Sequence, residues 1–222
     1  SYISVPEDLI VGVHWYDNSR VIDLDLSVIG ESGKIGWDAN YKSDDKTILF
    51  SGDMTAAPLP DGATELFYIK KELPEPKILL LNYFNFVSQN EVECKILVAH
   101  ESPKNFGENY MVDVNNIIAE ANMKISKKQN ALGLIVNVDG ENRVYFSKVS
   151  IGYAITSSDN PNGTHMRKYF MGNTVNSLDF KEILRMAGAT VVDEIPEGEY
   201  CDLSPSSLDK STIIDLIKKQ PC

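Results

Sequence analysis

Hydrophobic and polar positions alternate over short runs in the first hundred residues, the two-residue period of a β-strand. Leu9 to Trp15, Val21 to Ile29, Thr47 to Phe50 and Thr64 to Lys70 are rich in β-branched and aromatic residues, and Ile78 to Val87 and Val92 to His100 continue the series. Turn-forming residues separate these runs at Asp17-Asn18-Ser19, Gly30-Glu31-Ser32-Gly33, Pro58 to Gly62, Pro74-Glu75-Pro76 and Ser88-Gln89-Asn90. No helical crossover lies between the strands, so the pattern predicts an antiparallel β-sandwich rather than a parallel α/β sheet.

Ser102 to Asn109 reads as a polar loop, and Val112 to Ala121 fits a strand or a short helix. A hairpin follows, Leu132 to Val138 and Arg143 to Phe146 joined at Asp139-Gly140, the dipeptide that best favours a tight hairpin turn. Val149 to Ile155 adds a further strand. The period then becomes helical. Thr164 caps a helix through Met171, Ser177 opens a second that ends at Gly188, and Ser206 or Ser207 opens a third with Leu208, Ile213, Leu216 and Ile217 as its apolar stripe. The predicted architecture is mainly β: a sandwich over residues 1–155 with a helical C-terminal extension over 156–222.

Composition narrows the function classes. The 222-residue chain is 43% hydrophobic and 24% charged, as a soluble globular protein is, with a net charge of −11. That balance argues against nucleic acid as a partner, which needs clustered Lys and Arg, and against unaided attachment to anionic lipid. There is no signal-peptide pattern and no apolar run of about 18 residues. The three cysteines, Cys94, Cys201 and Cys222, are far apart and lack metal-ligand spacing, which favours a reducing, cytoplasmic setting. Cys94 sits in an apolar alternation and reads as a core thiol. The chain opens on Ser1-Tyr2-Ile3 rather than methionine, which suggests a trimmed or a processed start with further sequence upstream.

Two acidic runs change the picture. In Ile22-Asp23-Leu24-Asp25-Leu26-Ser27 the carboxylates alternate with aliphatic residues, so Asp23 and Asp25 share one strand face. Two anions that close repel unless water or a cation lies between them. Ser51-Gly52-Asp53 and Asp61-Gly62-Ala63-Thr64-Glu65 bring three more carboxylates from a segment rich in Gly and Pro. Calcium takes six to eight oxygens in flexible geometry, and convergence of these runs would supply several. The alternative is a solvated sheet face beside an ordinary Asp61-Gly62 turn. The spacing is not that of an EF-hand loop.

The order of blocks Val11-Gly12-Val13-His14-Trp15-Tyr16-Asp17, Ile22 to Ser27, a Gly-rich hairpin, Ser51-Gly52-Asp53 and Asp61 to Glu65 resembles the TerD-type tellurium-resistance family over about residues 5–155. The resemblance implies a β-sandwich and a calcium-binding bacterial protein linked to tellurite, phage and general stress resistance. It implies Asp23, Asp25, Asp53, Asp61 and Glu65 as calcium ligands, with Asp38 a further candidate. Met54 stands where the family has Asn, and Ala63 and Thr64 where it commonly has Asp. Fewer carboxylates imply weaker binding, or one ion where the family often has two.

Other chemistry finds little support. His14, His100 and His165 have no Cys or second His at ligand spacing, which speaks against zinc. There is no Gly-x-Ser-x-Gly and no phosphate-binding glycine loop. Met166-Arg167-Lys168-Tyr169 reads as an exposed helix face. Taken with the resemblance, which alone implies the stress-response role, the expectation is a non-enzymatic calcium-binding protein working with other stress-response proteins, without stable membrane anchoring. The alternative is a metal-free interaction module whose helical C-terminal region binds a partner.

Overall fold

The computed structural model describes residues 2–150 and 161–175, apart from Ala39, Gln89 and Asn109, and a few residues between 189 and 202. The strands are β1 (Ile3–Val5), β2 (Leu9–Trp15), β3 (Leu24–Gly30), β4 (Gly33–Gly36), β5 (Ile48–Phe50), β6 (Ala63–Ile69), β7 (Lys77–Tyr83), β8 (Val92–His100), β9 (Ile117–Ile125), β10 (Gln129–Val138) and β11 (Glu141–Ser150). They form a six-stranded sheet, β1-β11-β10-β7-β3-β4, and a five-stranded sheet, β5-β6-β2-β8-β9. Every strand pair is antiparallel. The alternation in sequence explains the layers: Leu24, Leu26 and Val28 of β3 and Leu79, Leu81 and Tyr83 of β7 enter one core with Val11, Val13 and Trp15 of β2 and Phe67 of β6. Cys94 belongs to that core as well.

The Asp139-Gly140 turn forms as predicted, with both residues at positive φ, as a type I′ two-residue hairpin turn requires. Val112 to Ala121 resolves into a 3-10 turn, Val114–Asn116, running into β9. The loop before it is less polar in role than in composition. Phe106, Tyr110 and Val112 lie on the outer face of the five-stranded sheet against Ile10, Leu66, Tyr68, Leu97 and Ala99.

The outer face of the other sheet is covered in part by helix α1 (Pro161–Val175). Phe170 and Met171 pack with Ile29, Ile78, Leu80 and Ala131. The compact unit therefore runs Ser1–Val175 and takes in this helix, twenty residues past the predicted boundary at 155, with Asn176–Cys222 a second unit. Arg167 corrects the expectation of an exposed basic face: it is 2% exposed, because it lies on the same stripe as Gly163, Phe170 and Met171. The predicted helices from Ser177 and from Ser206 or Ser207, and the end of the Val149 to Ile155 strand, lie outside the described residues. Among the described residues no helix is long and apolar enough to cross a membrane.

Candidate metal centre

The segment carrying Asp53 leaves β5 and is held at three points. At its start the Ser51 N–H donates to the Leu66 carbonyl at 2.9 Å, and Ser51 Oγ accepts from the Leu66 N–H at 2.9 Å. At its end Asp17 Oδ1 accepts from the Ala57 N–H at 3.0 Å and from the Ile22 N–H at 2.8 Å. One carboxylate thus joins this loop to the chain entering β3. The third point is Glu65. It is buried, with Oε1 accepting from the Met54 N–H at 2.9 Å and Oε2 from the Leu26 N–H at 2.6 Å.

Glu65 therefore bridges the two sheets. It projects from β6 into the sandwich and satisfies a backbone donor of β3 just before the β3–β4 ladder begins, since that ladder starts at the Ser27–Gly36 pair. Burial raises its proton affinity well above that of an ordinary carboxyl, while the two N–H donors oppose the rise. β2 must lie close to β6 for this to work. A side chain on Gly12 would put its Cβ 2.3 Å from the Glu65 carbonyl oxygen.

The other wall is β3 and the segment leading into it. Asp25 pairs across the sheet with Asn82 of β7, whose Nδ2 donates to Asp25 Oδ2 at 2.7 Å. Asp23 precedes the regular strand. Its N–H donates to Asn85 Oδ1 at 3.2 Å and its carbonyl accepts from the Phe84 N–H at 3.0 Å. With both walls fixed, one ligand atom from each of Asp23, Asp25 and Asp53 lies within 4.8 Å of the others. Among the described residues this is the one group of three or more His, Cys, Asp or Glu side chains close enough to share an ion.

The cluster has excess negative charge. Burial pushes Asp25 up to about 7, with the charges of Asp23 and Asp53 adding to the rise and the Asn82 amide and Lys34 opposing it. Asp23 is raised to about 6 by burial and by the charge of Asp53. Burial raises Asp53 as well. Asp23 Oδ1 is buried without a hydrogen-bond partner. A divalent cation fits these facts. Oxygens on opposite sides of a calcium ion lie about 5 Å apart, so three atoms within 4.8 Å can belong to one coordination shell. Exposed Asp53 leaves the site open to solvent for further ligands.

Of the five carboxylates singled out in the sequence, Asp23, Asp25 and Asp53 converge. Glu65 lies beside them with both oxygens already accepting from backbone N–H groups. Asp61 stands outside the cluster, exposed in a turn where the Gly62 N–H donates to the Pro58 carbonyl at 2.9 Å. Gly62 has φ +70°, and any Cβ there would meet the Trp15 carbonyl at 2.3 Å, so the Asp-Gly pair serves the turn. Asp38 is ion-paired with Lys34 at 2.8 Å. The sequence reading gave no role to Asp17, Ser51 or Asn82, which hold the ligands in place. His14 is bonded to Thr64 at 2.8 Å and His100 to Glu7 at 2.5 Å. No protein-family model matches the chain, and no curated protein matches it in sequence.

Proposed function

We propose that the protein is a calcium-binding, non-enzymatic β-sandwich of the TerD type, acting in the cytoplasm with other proteins of a bacterial stress response such as resistance to tellurite, toxic chemicals or phage. The observation that carries the metal reading is the convergence of Asp23, Asp25 and Asp53, one of them with an orphaned buried oxygen. Family and cellular role rest on the resemblance of the Val11–Asp17, Ile22–Ser27, Ser51–Asp53 and Asp61–Glu65 blocks. Asp25 would hold the ion from β3, Asp23 from the residue just before it, and Asp53 from the loop. Glu65, Asp17 and Asn82 would position them. Binding would cancel the repulsion and stabilise the joint between the two sheets.

Calorimetry tests this directly: calcium added to the metal-free chain releases heat at a stoichiometry near one. At a hundredfold excess over Kd, stability rises by about 2.7 kcal/mol, or roughly 5–10 °C in Tm. Asp25→Ala abolishes both signals. No heat, together with equal Tm in EDTA and in calcium, refutes the metal reading.

The second reading is a metal-free interaction module in which the C-terminal region binds a partner. It draws on Asn176–Cys222 being a compact unit of its own. It predicts no calcium heat and a partner lost on truncation after Val175.

A further inference from the structure

We propose that β9 pairs edge to edge with β9 of a second copy of this chain, antiparallel about a two-fold axis through Asn122. The two sheets have four edge strands among the described residues. Three are short: β1 and β5 have three residues each and β4 has four. Short edges offer little backbone to another chain. β9 is the exception, with nine residues and β8 as its neighbour in the sheet. It contains no Pro or Gly, and its ladder with β8 is unbroken from Ile125 to Ala119.

Of the usual edge protections β9 has exposed charges on its outer row and a bulge at its Ile118 end, but none along its inner row. Its inner row carries Ala119, Ala121 and Met123, with no inward-pointing charge. Ala119 and Met123 lie half-buried on the main core, which is thus left partly open along this side. The outer row, Ile118, Glu120, Asn122 and Lys124, is exposed.

Charge selects the register. An antiparallel two-fold about Asn122 sets Glu120 opposite Lys124 of the second copy, and the symmetry repeats the pair. Within the chain Lys95 pairs with Glu120 at 3.0 Å and Glu93 with Lys124 at 3.5 Å. The joined sheet would carry a stripe of alternating sign, Lys95, Glu120, then Lys124 and Glu93 of the second copy. The inner row would set Ala121 against Met123 and Ala119 against Ile125, small against large. A two-fold about Ala121 sets Ile118 against Lys124, and one about Met123 sets Asn122 against Lys124. Neither pairs opposite charges.

Sedimentation equilibrium of the full chain over a dilution series tests the proposal, with a two-chain mass growing as concentration rises. Glu120→Lys and Lys124→Glu each reduce the association at least tenfold by setting like charges opposite each other. Mixing the two variants restores a two-chain species, because every facing pair is then of opposite sign. Their circular dichroism spectra should match the parent's. With Cys201→Ser and Cys222→Ser in place, Asn122→Cys cross-links on mild oxidation. Ile118→Cys does not, since its two copies would lie about 27 Å apart, far beyond disulfide reach. A single-chain mass at every concentration overturns the proposal, as does association unaffected by both charge reversals or equal cross-linking at the two positions.

Discussion

The two ends of β3 meet the same electrostatic problem and solve it in opposite ways. At the end near Gly30, Glu75 is partly buried but is bound by the Lys77 ammonium and by Ser32, whose N–H donates at 3.1 Å. Burial alone would raise that carboxyl, and Lys77 and Ser32 bring it below its ordinary range. At the other end Asp23 and Asp25 face Asp53, and all three are raised. One end carries its own cation as a lysine. The other has carboxylates in surplus, the condition under which a cation from solution contributes most.

Mutation separates the two ends. Glu75→Ala leaves the buried Lys77 ammonium without its carboxylate and costs about 3 kcal/mol, equally with and without calcium, as chemical denaturation would show. Glu65→Gln costs about 1–3 kcal/mol, because the amide has one accepting oxygen for two backbone N–H donors. It also weakens calcium binding in calorimetry, since the Met54 anchor beside Asp53 is lost.

The pH response has opposite sign at the two ends. Asp23 and Asp25 bind protons more tightly folded than unfolded. Their contribution is present below the unfolded value near 3.8 and is lost as pH rises through about 6 and 7. Metal-free stability from this end therefore falls across that window, and calcium removes the fall. Calcium affinity gains roughly three orders of magnitude from pH 5 to pH 8, because protons compete for the same oxygens at Asp23 and Asp25. Glu75, with its lowered value, contributes stability above its unfolded value that is lost on acidification, and Glu75→Gln flattens that acid limb. The smallest effect belongs to Asp61→Asn. Exposed and outside the cluster, it changes stability by less than about 0.5 kcal/mol and leaves the calcium isotherm unchanged.

Much of the fold was legible because burial in a sandwich follows the two-residue period. Leu9 to Trp15 and Val92 to His100 match β2 and β8 residue for residue. Where burial came from a third layer, the pattern misled. Arg167 looked solvent-facing because it is charged, and Ser102 to Asn109 looked like a plain loop, although Phe106 lies on a sheet. The site divides the same way. That Asp23 and Asp25 share a face follows from their spacing, and that Asp61-Gly62 forms a turn follows from its composition. The anchoring roles of Asp17, Ser51 and Asn82 had little local signal: Asp17 meets Ile22 five residues on, but its other partner Ala57 is 40 residues away, Leu66 is 15 from Ser51 and Asp25 is 57 from Asn82.

The sequence alone determined that the chain builds antiparallel sheets and places two carboxylates side by side where a strand begins, because both depend on periodicity within a few residues. Tertiary structure decided which distant carboxylate joins them. Asp53 and Glu65 come from the same acidic region of the chain. The loop turns Asp53 toward Asp23 and Asp25, while the β6 register turns Glu65 inward onto two backbone N–H groups. A carboxylate's role here is set by which donors lie within about 3 Å of it, and that depends on the pairing of strands rather than on local sequence.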